Sequence, residues 1–98
     1  MFIARVSFSI PPAHAADFRN AAATVAETML SMPGCSLAQF YRTLGSDGDV
    51  TLYQEWRSPE DFQAYAESSA FAENGRRLKP FISSAPQTAR FSASPIHA

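Results

Sequence analysis

Apolar and polar residues alternate from the second position of the chain onward. Phe2, Ala4, Val6, Phe8 and Ile10 share one face, while Ile3, Arg5, Ser7 and Ser9 share the other. A period of two predicts a half-buried strand over Phe2–Ile10. Pro11-Pro12 stops it, and proline is tolerated in the first turn of a helix, where its missing N–H costs nothing. The period then changes. Phe18, Ala22, Val25, Met29 and Met32 recur at helical spacing, with Asn20, Thr24, Glu27 and Ser31 mostly elsewhere. That pattern predicts an amphipathic helix with one apolar stripe from about Ala13 to Met32, ended by Pro33-Gly34.

Alternation and aromatic residues return over Cys35–Leu44 and predict a second strand. Gly45-Ser46-Asp47-Gly48-Asp49 reads as a hairpin loop in which both glycines supply positive φ at little cost. Val50–Trp56 is the third strand, with Val50, Leu52, Gln54 and Trp56 on one side and Thr51, Tyr53 and Glu55 on the other. Ser58 then has the side chain of an N-cap, Pro59 suits the first helical position, and Asp61 stands three residues after the cap. Phe62, Tyr65 and Ala66 form the buried side of the short helix that follows. Phe71, Gly75, Leu78 and Ile82 continue at helical spacing into a second helical piece, which runs to about Lys79 before Pro80 ends or kinks it. Gln87–Ala93 alternates again as a last strand, with Ala89, Phe91 and Ala93 on one face. Ser94–Ala98 is expected to be a loose tail.

The order β-α-β-β-α-β predicts an α+β, ferredoxin-like fold, a four-stranded antiparallel sheet with its helices on one face. The opposite face would carry Ile3, Tyr53 and either Leu37 with Tyr41 or Ala38 with Phe40. It is too aromatic to stand bare and, with Arg5, Ser7 and Glu55, too polar for a dry core. Pairing two such sheets covers it, which predicts a homodimer.

Composition narrows the function classes. At 98 residues, 46% hydrophobic with eight Phe, the chain supports one domain with one core. A net charge of −1 with a single basic doublet, Arg76-Arg77, argues against a nucleic-acid footprint. The lone Cys35 forms no internal disulfide, no signal-peptide order opens the chain, and no apolar run spans a bilayer, so the expected location is cytoplasmic. His14 and His97 stand far apart, leaving no cluster with metal-ligand spacing. Phosphate-cradling glycine loops are absent, which argues against nucleotide cofactors. No metal or cofactor is expected.

With this order in place, several segments together resemble the antibiotic biosynthesis monooxygenase (ABM) family over nearly the whole chain. They are the Pro33-Gly34-Cys35 turn, Glu55-Trp56 at a strand end, the Ser58-Pro59 cap, and the Ser68–Phe71 step into a second helical piece. The resemblance implies a dimeric α+β barrel with an apolar pocket between sheet and helices. It also implies, for several members, oxidation of phenolic or quinol-type polyketides by O2 without metal, flavin or haem. In such chemistry the deprotonated, electron-rich ring reduces oxygen, and the protein supplies a cavity and groups that stabilise anionic charge.

Carried over by position, the resemblance makes Trp56, Arg76 and Tyr65 the catalytic candidates, with Leu52, Gln54, Phe62 and Phe71 lining the pocket. Trp56 would orient an aromatic ring, Tyr65 or Gln54 would hydrogen-bond an oxygen, and Arg76 would hold negative charge. Two positions depart from the pattern: Leu52 stands where some members have Asn, and Phe62 where some have Tyr. The histidine that haem-degrading relatives use as iron ligand corresponds to Gly75, which argues against that activity. The expected function is a cofactor-independent monooxygenase of a small aromatic phenol, quinol or polyketide-like compound. The alternatives are a non-oxidative isomerase or cyclase, and a non-catalytic small-molecule binder, on the same barrel.

Overall fold

The alternating opening segment forms β1 (Phe2–Ser9), and the computed structural model describes the chain over residues 1–96. His97 and Ala98, the end of the expected tail, lie outside the described residues. After a 3₁₀ turn at Pro12–His14 come α1 (Ala15–Leu30), β2 (Cys35–Arg42), β3 (Asp49–Trp56), α2 (Pro59–Ala66) and α3 (Ser69–Leu78). A 3₁₀ turn at Lys79–Phe81, built around Pro80, leads to β4 (Gln87–Ser92). The strands form one antiparallel sheet in the order β2-β3-β1-β4. This is the ferredoxin-like α+β arrangement, with the helical layer as three α-helices. No helix among the described residues is long and apolar enough to cross a membrane.

Register decides which side chains meet the helices. Ala4 pairs with Gln54 of β3 and Arg90 of β4, and Ala38 of β2 pairs with Gln54. One row, Ala38–Gln54–Ala4–Arg90, therefore crosses the sheet on a single face. The face of β2 left open by its pattern is thereby resolved: Ala38 and Phe40 turn to the helices, and Leu37 and Tyr41 to the open side. A bulge between Cys35 and Leu37 sets that phase. The stripe Phe18, Ala22, Val25 and Met29 seats α1 on this face. Phe18 meets Phe8 and Phe40 edge to face at 5.8 and 5.5 Å, a geometry that adds quadrupole attraction to simple burial.

The local signals map onto caps and turns. Ser58 Oγ accepts the Asp61 N–H at 3.1 Å, and the Asp61 carboxylate is held by Arg57 at 2.8 Å. At the corner between α2 and α3, Ser68 Oγ donates to the Tyr65 carbonyl at 2.6 Å and accepts the Phe71 N–H at 3.3 Å. One side chain thus serves an orphan carbonyl of one helix and an orphan amide of the next.

The hairpin differs from expectation in two respects. β2 ends at Arg42 rather than Leu44, because the Thr43 carbonyl accepts the Ser46 N–H in a turn. Only Gly45 of the loop has positive φ; Gly48 is required for a different reason, since a Cβ there would lie 2.2 Å from the Ile10 carbonyl oxygen.

The open face carries Tyr41 and Tyr53 with ring centroids 6.4 Å apart. Arg5 lies over the Phe91 ring at 5.2 Å, and Ser7 and Thr51 are bonded at 3.2 Å. Tyr41 is 50% and Phe91 44% exposed, so the aromatic surface is uncovered in the single chain.

Candidate functional site

Between the helical layer and the β3-β1-β4 part of the sheet lies a cavity of about 680 Å³. That volume suits a small organic ligand. Six of the seven residues singled out in the sequence line it: Leu52, Gln54, Phe62, Tyr65, Phe71 and Arg76. The seventh, Trp56, is fully buried behind that wall.

The wall is built outward from Trp56. Its indole stacks on Tyr65, with centroids 5.3 Å apart and planes 25° apart, and meets Phe62 at 5.8 Å. Its Nε1–H donates to Gln54 Oε1 at 3.0 Å. This bond satisfies both the buried indole and the carbonyl end of a buried amide. Gln54 Nε2 donates to no described residue and remains the hydrogen-bonding end of this side chain toward the cavity. The indole N–H itself is therefore engaged within the protein.

Tyr65, in the last turn of α2, has its ring edge-on to Phe71 at 5.4 Å. Its hydroxyl oxygen accepts a hydrogen bond from Asn74 Nδ2 at 2.9 Å, and Asn74 Oδ1 accepts one from Arg77 at 2.7 Å. Because Asn74 uses the phenol oxygen as acceptor, the Tyr65 proton is free to be donated elsewhere. Burial raises the Tyr65 pKa above the ordinary tyrosine value, with the Asn74 bond pulling the other way. Tyr65 is thus a neutral donor at physiological pH, not a base.

Asn74 is a residue the sequence reading missed. At 3% exposure it is one of two buried polar side chains among the described residues, the other being Gln54. An asparagine on an exposed, amphipathic helix reads as solvated, and only the turn at Ser68 brings it against Tyr65. Lys79 and Arg90, both lining the cavity, were also missed. Arg90 occupies the phase of β4 opposite to Ala89 and Phe91, and register alone puts it on the helix side, with its guanidinium 5.2 Å from the Phe62 ring centre.

Arg76 lies exposed on α3 at the cavity edge. No Asp, Glu or His is among the described residues that line the cavity. Its functional groups are amide and phenol donors, the hydroxyls of Ser84 and Thr88, and fixed cations, a set suited to holding an anion rather than accepting a proton. His14 sits elsewhere, packed edge-on to Phe81 at 5.9 Å. Cys35 is half-buried, with burial raising its thiol pKa, and does not line the cavity. No group of three or more His, Cys, Asp or Glu that could hold a metal ion exists among the described residues.

Comparison with known proteins places this arrangement. Residues 1–74 match the family model described as antibiotic biosynthesis monooxygenase. Among solved structures, a Caulobacter crescentus protein provisionally named an antibiotic biosynthesis monooxygenase superposes with a TM-score of 0.87 at 20% identity. The match covers 96% of this chain and 90% of that one. A similarly named Deinococcus radiodurans protein gives 0.87 at 17% identity, covering 100% and 97%. A mutant of SnoaB, a cofactor-independent oxygenase from Streptomyces nogalater, gives 0.78 at 17% identity, covering 97% and 95%. No curated protein sequence matches. At these identities the structural likenesses speak to fold, and the family model, which spans three quarters of the sequence, speaks to descent: the chain belongs to the antibiotic biosynthesis monooxygenase family.

Proposed function

We propose that this protein is a cofactor-independent oxygenase of a small, acidic aromatic substrate of the phenol, quinol or anthrone type. The observation that carries the reading is the largely apolar cavity that brings together the buried donors Gln54 and Tyr65, with Arg76 at its edge. SnoaB, with the same fold, is described as a cofactor-independent oxygenase.

The absence of a carboxylate or imidazole from the described lining has a chemical consequence: the substrate must ionise without a protein base, its proton leaving to solvent. Donation from Gln54 Nε2 and the Tyr65 hydroxyl to the ring oxygen, and the Arg76 charge, favour the anion. The electron-rich ring then reduces O2. For an anthrone, the ring CH2 becomes a carbonyl that retains one oxygen atom, and the other leaves as water with the two hydrogens. Trp56 acts behind the wall by fixing Gln54, while Leu52, Phe62 and Phe71 exclude water.

Oxygen uptake by metal-free protein with anthrones and hydroquinones tests this, with autoxidation blanks alongside. Uptake well above the blank is expected, falling by about 10²-fold or more in Arg76→Ala if that charge stabilises the reacting anion. Uptake equal to the blank for every compound refutes the oxygenase reading. A second reading, a non-oxidative enzyme or a binder, is favoured by Leu52 and Phe62, apolar where some family members carry Asn and Tyr. It predicts thermal stabilisation by the same compounds without oxygen consumption.

The proposal includes a homodimer through the open sheet face, where Tyr41 and Phe91 stand exposed beside the half-buried Tyr53. Sedimentation equilibrium is expected to give twice the 10.7 kDa chain mass, and Tyr53→Lys to lower it toward that of one chain. A monomer at tens of micromolar would remove the dimer from the proposal.

A further inference from the structure

The charged residues around the large cavity are all of one sign. Arg76 of α3, Lys79 of the turn that follows, and Arg90 of β4 line it, and no acidic side chain does so among the described residues. None of the three makes a salt bridge to a described residue; the ion pairs found are Arg57–Asp61 and Arg77–Glu73. In a chain whose net charge is −1, cations from three successive elements converge on an apolar space without counter-charges. Such an arrangement costs self-repulsion and is relieved when an anion enters.

Register places one of these cations relative to the donors. Gln54 and Arg90 flank Ala4 in the same cross-sheet row, so their Cα atoms are separated by two strand spacings, roughly 10 Å. Phe62 lies beneath Arg90, holding the guanidinium by a cation–π contact at 5.2 Å. The cavity thus carries two kinds of polar group, neutral donors that include Gln54 and Tyr65 and the cations Arg76, Lys79 and Arg90, with Arg90 set two strands away from Gln54.

From this polarity we infer that the ligand is an aromatic acid: a ring system inside the cavity carrying a permanently ionised carboxylate that the Arg76–Lys79–Arg90 side receives. The inference rests on the proposed small-aromatic pocket but not on oxygen chemistry. The carboxylate is distinct from the phenolic oxygen at the Gln54 end, and it fixes which end of the ring points inward. Guanidinium groups suit the task because they remain charged and can bond a carboxylate in two places.

The test uses two probes that neither oxidise nor carry a phenol, 2-naphthoate and its methyl ester, titrated calorimetrically into the full chain. At low salt the acid is expected to bind about tenfold tighter than the ester, the size that a few partly exposed charge contacts supply. In Arg76→Gln/Arg90→Gln the preference should fall to about threefold or less, and 0.5 M salt should reduce it through screening. Arg19→Gln/Arg42→Gln, outside this cavity, removes the same two charges and should preserve it. Equal or tighter binding of the ester, binding of neither probe, or a preference unchanged in the double variant would each overturn the inference. Oxygen uptake plays no part in these readings. An acid preference without turnover of any quinol would refute the oxygenase reading alone.

Discussion

Trp56→Ala is expected to lower the unfolding free energy by about 3–5 kcal/mol, the usual range for deleting a large buried aromatic. Domains of this size are held by only about 5–15 kcal/mol in total, so the variant should be partly unfolded at physiological temperature. The reason is the number of roles Trp56 combines. It has no exposed surface, stacks on Tyr65, meets Phe62 edge-on, and donates to Gln54. Denaturant titration of wild type and variant measures the loss directly. A change below about 1 kcal/mol would contradict the packing described, because cavity formation alone costs more than that at such sites.

Trp56→Phe separates packing from the hydrogen bond. The ring remains, but Gln54 Oε1 loses its donor inside the protein, at a cost of about 1–3 kcal/mol for the unsatisfied group. Adding Gln54→Leu removes the other partner and should recover part of that loss, since deleting both members of a buried pair costs less than orphaning one. If Trp56 positions Gln54 for a ligand, both Trp56→Phe and Gln54→Leu should weaken aromatic ligand binding, and the double variant should be no worse than Gln54→Leu alone.

The second large effect is expected at Asn74. Asn74→Leu removes the donor to the Tyr65 oxygen, while the exposed Arg77 returns to water at little cost. The net loss should be about 1–2 kcal/mol, and the cycle with Tyr65→Phe should show about 0.5–1.5 kcal/mol of coupling. Asn74→Asp is the sharper probe. A carboxylate in that place accepts rather than donates, so the Tyr65 proton turns toward residue 74 and away from the cavity. Ligand affinity should fall in Asn74→Asp even though the helix and the tyrosine ring are retained. Additive stability effects in the Asn74–Tyr65 cycle, with affinity unchanged in the aspartate variant, would show that the pair does not orient a donor.

These two residues also mark how far the site could be read in advance. Strand and helix periods put Trp56, Tyr65, Gln54 and Phe62 on the buried side of adjoining elements, and the resemblance to the family made Trp56 and Tyr65 site candidates. Arg76 and Phe71 came from the resemblance to the family. Asn74 was illegible for a physical reason: on α3 its polarity matches that of the exposed Glu73 and Arg77 beside it. Nothing local shows that the chain turns at Ser68 and lays Tyr65 over it. Arg90 was hidden in the same way, by an alternation whose apolar phase, Ala89 and Phe91, turns to the open side of the sheet.

What the sequence determined by itself is the set of elements and their order. Periods of two and 3.6, the Pro33-Gly34 break, the Ser58 cap and the stop at Pro80 are all short-range effects, set by backbone sterics and nearby hydrogen bonds. Tertiary structure decided the rest. The phase of β2 was ambiguous because both of its faces carry an aromatic residue, and only the bulge after Cys35 and pairing with β3 choose between them. The same long-range pairing sets Gln54, Ala4 and Arg90 in one row, and the α2–α3 corner sets Asn74 against Tyr65. A side chain's phase along its own strand is a local property. Which phase faces the helices depends on partners tens of residues away, and that choice is what made a cavity lined by both neutral donors and cations.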